Sequence, residues 1–308
     1  MALGASEMRD APPSGPLLGL RGAGSPGRAI AFIVVGVALF SLSDVAAKHL
    51  SQTLPSLQIT WLRYVTLSAV AILLAAQGGR RLFHADQPGL QILRGLALLG
   101  SAAFFLLGLS RLGMAEATAI AFVTPAFITA LSIPLLGEKV GVRRWASLLL
   151  GLAGVLIIVR PGGEAFQPAA LFSLASAAFG AAAMILTRKL GPQTRARTTL
   201  LWSALTGLIL LSLAAPLWFT PLSPREVAVA AAMGLAYAGG QLLMILAYRQ
   251  AEASLLAPFT YAQLPITTLL GLIVFAAVPD GATLLGIGVI LASGAYTLYR
   301  EQRRRRGF

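Results

Sequence analysis

Cysteine is absent from the 308 residues, which removes a disulfide framework, a thiolate nucleophile and a Cys-ligated metal. Histidine is nearly absent as well. His49 and His84 have no partner at metal-ligand spacing and read as solvated loop residues, so no metal is expected. Charge is scarce at 11% of residues, with only 11 acidic side chains, and these form no carboxylate dyad. No glycine-rich loop with a following lysine is present to cradle nucleotide phosphates. Without such groups there is no catalytic constellation and no implied cofactor, so an enzyme finds no support and transport driven by ATP on this chain is not expected.

What is abundant is apolar surface: 57% of residues are hydrophobic and the mean hydropathy is +0.79, far from a soluble globule. The chain reads as a polytopic membrane protein. Ten runs have spanning length: 29–50, 57–76, 91–110, 116–136, 143–160, 168–188, 198–217, 226–248, 253–276 and 281–299. Turn and charge signals separate them, among them Gln77-Gly78-Gly79-Arg80-Arg81, Pro161-Gly162-Gly163 and Pro279-Asp280-Gly281. No soluble domain fits between these runs. Residues 1–28 are rich in Pro, Gly and Ser and lack apolar periodicity, which suggests a disordered cytosolic tail rather than a signal peptide.

The net charge of +13 comes from Lys and Arg in short loops, which sets topology and gives no reason to expect a nucleic-acid partner. Placing the N-terminus inside gives the cytosol every Lys and Arg, Arg94 included, except Lys48, Arg111, Arg160 and Arg225 outside and Arg63 within a span. Both termini are then cytosolic. The final basic segment, residues 301–308 with Arg303 to Arg306, reads as a stop signal against anionic membrane lipid.

The chain is organised around residues 115–139, AEATAIAFVTPAFITALSIPLLGEK, because the pattern recurs as AEASLLAPFTYAQLPITTLLGLIVFAAVPD over 251–280. Each copy is broken by proline, Pro125 and Pro134 in one, Pro258 and Pro265 in the other. A broken helix at membrane depth survives only where protein or a wet cavity satisfies the freed carbonyls. Phe40 aligns with Phe179, Glu138 with Ala277, and Lys48-His49-Leu50 with Arg188-Lys189-Leu190. Two halves, 29–160 and 168–300, follow. Five spans in each is an odd number, so the second half enters from the opposite side, as in the inverted repeats of secondary transporters.

The segment Leu136-Gly137-Glu138-Lys139 after a proline-broken fourth span, then Trp145 and Gly151-x-x-Gly154-Val155, echoed by Phe275 to Pro279 and Gly286 to Gly294, resembles the drug/metabolite transporter superfamily, EamA family. It covers 29–300. The first hairpin, with Asp44, Lys48, Pro55, Gln58 and Arg63, is similar to the branch containing S-adenosylmethionine, riboflavin and opine-metallophore transporters. The resemblance implies an all-α bundle of ten transmembrane helices in two EamA units, a central cavity, alternating access and a small-metabolite cargo. Ala277 departs from the family, which commonly has glutamate there.

Asp44 and Lys48 share a helix face, and Arg63 lies beside Trp61 and Tyr64. An ionisable group inside a span is costly, so Asp44 and Arg63 should turn inward, as a substrate site or as a structural pair. Their matching depth and the short loop between their helices predict that they meet. Lys48, near the outer end, is expected to snorkel to the interface. Glu116 and Glu252 begin their helices, where helix capping is the expectation, and Glu138 beside Lys139, Arg143 and Arg144 suggests a topological or gating ion pair. Tyr237, Gln241, Tyr261 and Gln263, with Thr260, Thr267 and Thr268, are polar groups on otherwise apolar spans. They either line a cavity or bond between helices. A cavity among the first, fourth, sixth, eighth and ninth spans is expected. Ser147, Gly151, Gly154, Gly286 and Gly288 read as close-packing positions. A secondary transporter, importing or exporting, is the function these features support; the alternative is a non-transporting structural or receptor-like membrane protein.

Overall fold

The computed structural model describes residues 26–76, 85, 87–136, 142–160, 167–190, 196–250, 259–260 and 262–305. Among the described residues there is no strand. The helices are α1 (Pro26–Leu50), α2 (Ser56–Ala76), α3 (Pro88–Leu109), α4 (Met114–Ala121), α5 (Thr124–Leu136), α6 (Val142–Val159), α7 (Ala170–Leu190), α8 (Ala196–Ala214), α9 (Pro224–Gln250), α10 (Gln263–Phe275) and α11 (Gly281–Arg305). By length and composition α1, α2, α3, α7, α8 and α9 can each cross a membrane. The expected fifth, ninth and tenth spans contain shorter apolar stretches, Leu149–Val159, Gln263–Phe275 and Gly281–Ser293.

The expected fourth span is two helices, and proline explains the break. Pro125 has no N–H to give to the Ala121 carbonyl one turn back. The Thr124 hydroxyl takes that place, donating to Ala121 O at 2.6 Å. Pro134 lies inside α5. In the ninth span, α10 starts at Gln263, so Pro265 falls in its first turn, where a missing donor costs nothing. Entry to α9 is fixed by a capping box: the Ser223 N–H and hydroxyl both donate to Glu226 Oε2 at 2.8 Å, and the Glu226 N–H returns to Ser223 Oγ at 3.3 Å.

Polarity is arranged inside out relative to a soluble protein. Leu73, Leu213 and Ile273 are 65%, 75% and 69% exposed, as suits lipid-facing positions. Ser41, Ser43, Asp44, Arg63 and Ser68 are buried. The protein is thus an integral, multi-pass membrane protein, and its polar groups face one another across the bundle.

Packing runs α1 along α9, α3 along α7 and α6 along α11, with α2 against both α8 and α9. The α6–α11 crossing depends on two glycines. A Cβ on Gly154 would lie 2.9 Å from the Gly286 carbonyl, and one on Gly286 would lie 2.7 Å from the Gly154 carbonyl, so the backbones touch. Gly151 is in ordinary contact with Ser293, while Gly288 faces open space and is not a packing position as expected. The Ser147 side chain lies outside the described residues.

Candidate substrate-binding site

Residue Asp44 stands on α1 and Arg63 on α2, joined by the short turn of residues 51–55 that makes the two helices neighbours. The pair forms: Arg63 Nη2 donates to Asp44 Oδ1 at 2.8 Å, with the two side chains 3% and 7% exposed. Either charge alone in this environment would be strongly unfavourable, and pairing lowers that cost for both. Helix α9 closes the third side. The Arg63 guanidinium carbon lies 5.2 Å from the Tyr237 ring centroid, a cation–π distance. Tyr237 packs on Phe40 at 5.6 Å between centroids, and its hydroxyl accepts from Gln241 Nε2 at 3.2 Å. Four residues singled out from sequence therefore converge. Arg63 Nε and the Tyr64 hydroxyl are buried with no hydrogen-bond partner among the described residues, so donor capacity remains in the cluster.

The cluster is built from the first, second and eighth spans, not from the first, fourth, sixth, eighth and ninth. Arg63 draws the second span in, because its charge must reach Asp44. On the first and ninth spans Ser41 and Thr267 share a hydrogen bond of 2.9 Å, the interhelical alternative for Thr267. Thr268 donates back to Leu264 O. Gln263 is half-buried, and no hydrogen bond ties it to the cluster among the described residues. Tyr261, Glu138 and Glu252 lie outside those residues.

Lys48 does not snorkel outward. Its ammonium donates to Leu109 O at 2.6 Å and Leu112 O at 2.7 Å, the last carbonyl of α3 and one in the turn that follows, where helical N–H partners run out and the negative end of the helix dipole lies. Glu116 stands at the third position of α4, in its first turn, where a carboxylate meets the positive end of the helix dipole. Glu116 also lines a cavity of about 270 Å³ with Arg160, Gln167, Thr268, Asp280 and Thr283. At its rim Arg160, just after α6, is paired with Asp280, which precedes α11. Asp280 caps α11 by accepting from the Thr283 N–H at 2.8 Å. Hydrogen bonds from Thr283 and Arg160 pull the Asp280 carboxyl down to about 2.

The sequence compares with known proteins over nearly its full length. The EamA-like transporter family matches residues 27–160. A riboflavin transporter of Vibrio cholerae is 30% identical over 284 residues, covering 90% of this chain and 95% of its own. The chain belongs to the EamA-like transporter family. An S-adenosylmethionine uptake transporter of Rickettsia bellii is 27% identical over 275 residues, 89% of this transporter and 94% of that protein. A pseudopaline exporter of Pseudomonas aeruginosa is 25% identical over 266 residues, 86% and 93% respectively. One solved crystal structure superposes with a TM-score of 0.66 at 23% identity, over 91% of this transporter and 99% of that chain, which speaks for the fold. These relatives are named as transporters of small molecules, not as enzymes.

Arg94 also departs from expectation. Arg94, counted among the cytosolic loop charges, stands inside α3, seated between α7 and α8. Its Nε donates to Thr187 Oγ1 at 2.8 Å and its Nη1 to Ser203 Oγ. The rule that assigns arginines near span ends to loops overrode a signal that was present: Gln91 and Arg94 lie one helical turn apart on one face of an apolar run.

Proposed function

We propose that this transporter is a secondary carrier that moves a small organic solute across the inner or plasma membrane by alternating access. The observation that carries the reading is the Asp44–Arg63–Tyr237–Gln241 cluster, enclosed by three helices of a multi-pass bundle in a chain similar along its length to transporters. Intramembrane ionisable groups of this kind mark solute and ion pathways. The relatives' names specify three different cargoes and include both uptake and export, so the proposal extends to neither cargo nor direction.

Ten spans in two inverted repeats, 29–160 and 168–300, belong to the same proposal. The packing supports it. Exchange α1 with α7, α2 with α8, α3 with α9, α5 with α10 and α6 with α11, and the set of principal helix pairs is unchanged: α1 on α9 becomes α7 on α3, α1 on α10 becomes α7 on α5, and α2 on α9 becomes α8 on α3. The distribution of Lys and Arg supports cytosolic termini. Asp44 is the candidate for proton coupling, since it is the carboxylate deepest within a span. In a thermal-shift panel of amino acids, adenosyl compounds, flavins and sugars on the purified chain, at least one class should stabilise the wild type and not Tyr237→Ala. Equal shifts in both proteins would place the binding site elsewhere.

A further inference from the structure

Among the described residues two ion pairs form, Arg63 with Asp44 and Arg160 with Asp280. Arg94 has none. It sits about 9 Å along α3 from Pro88 at roughly 1.5 Å per residue, in an apolar helix whose neighbours offer it hydroxyls. A hydroxyl accepts a hydrogen bond but does not neutralise a charge. An unpaired arginine in a transmembrane helix is costly, and the Asp44–Arg63 pair is already neutral. Among the described residues, then, no carboxylate neutralises Arg94.

The surroundings are built to hold that charge in place. Thr187 spends its proton on the Ala183 carbonyl at 2.7 Å, so toward Arg94 it is fixed as an acceptor. With Nε held by Thr187 and Nη1 by Ser203, the rest of the five-donor fork of a guanidinium remains. One fully buried side chain in its vicinity is incompletely bonded. The Tyr64 hydroxyl has no partner among the described residues. Its ring is pressed so closely on α8 that a Cβ on Gly207 would come within 2.1 Å of it, and the adjoining Thr206 lies 2.8 Å from where a Cβ on Gly95, the residue after Arg94, would stand.

We propose that Arg94 binds a carboxylate of the transported solute, with Tyr64 as a second donor, so that the cargo class is a small organic acid or zwitterion. A guanidinium with spare donors and no carboxylate among the described residues matches a carboxylate, and recognises that planar group with paired hydrogen bonds. Only the word "transported" rests on the carrier reading; anion binding at Arg94 does not require flux.

The test uses a matched pair of aromatic probes, phenylacetate and its neutral amide phenylacetamide, titrated against the purified full-length chain at constant ionic strength, with affinity read by thermal shift and calorimetry. Wild type should prefer the acid by about ten-fold or more, the scale of a charge-assisted hydrogen bond. Arg94→Gln should remove the preference, Arg94→Lys should retain a reduced one, and Arg111→Gln, at an exposed arginine, should leave it intact. Equal affinity for the two probes, binding of neither by wild type, or a preference that survives in Arg94→Gln overturns the proposal. The first two outcomes need no variant, so misfolding of Arg94→Gln does not rescue it. A wild type that carries some solute yet fails this test would refute the role of Arg94 alone.

Discussion

Arg63 holds Asp44 at 2.8 Å while lying 5.2 Å from the centre of the Tyr237 ring, so α1, α2 and α9 are joined at a single buried charge pair. Removing one partner strands the other. Asp44→Ala and Arg63→Ala should each lower stability by about 3–5 kcal/mol, with falling expression, and the double variant should regain part of the loss. A denaturation series on the four proteins in detergent gives the coupling. Strictly additive losses would mean that the two charges do not depend on one another.

The Arg160–Asp280 contact ties the end of α6 to the start of α11 beside the cavity that Glu116 lines. Asp280 lies in the connection outside the helices, and its carboxyl is held at about 2, first by Thr283 and then by Arg160. A lowered carboxyl pKa adds stability that is fully present above the ordinary value of 3.8 and is lost as pH falls through 2. The tether is therefore insensitive to pH across the physiological range. The Asp280 carboxyl carbon should show no titration by NMR between about pH 4 and 7. A midpoint inside that window would mean that the contact opens in solution.

The proposed cytosolic placement of the termini predicts the behaviour of a fused reporter. An alkaline phosphatase domain joined after Phe308 should be inactive, and a fluorescent protein at the same place should be bright. The reverse pattern would invert the proposed topology.

Much of this architecture is legible in sequence because bilayer length, proline and charge are strong local signals. The Asp44–Arg63 pair could be anticipated because both residues stand at the same depth on helices joined by a short turn. The Pro125 break could be anticipated because proline always frees a carbonyl; that Thr124 would satisfy it required the coordinates. Lys48 departs from the expectation because snorkelling depends only on the residue's own helix, whereas the carbonyls it meets, at the end of α3 and in the turn after it, come from a distant part of the chain. For Arg94 the position near a span end outweighed the polar face it shares with Gln91, and its partners are again tertiary. Nothing local to α3 tells that Thr187 and Ser203 will face it. Tyr237 and Gln241 stood out as polar groups on an apolar span, but their attachment to Arg63 rather than to the ninth span is a tertiary fact.

A carrier whose pathway contains Asp44 makes a specific demand on flux. The most direct measurement is counterflow and pH-driven uptake in liposomes holding the purified full-length chain, using the solute that gives the largest thermal shift in the panel. Wild type is predicted to show counterflow and to accumulate solute under a pH gradient. Asp44→Asn is predicted to keep the counterflow and lose the accumulation. Absence of counterflow for every solute that binds would contradict transport itself, and full pH-driven accumulation by Asp44→Asn would contradict the role of Asp44 in coupling.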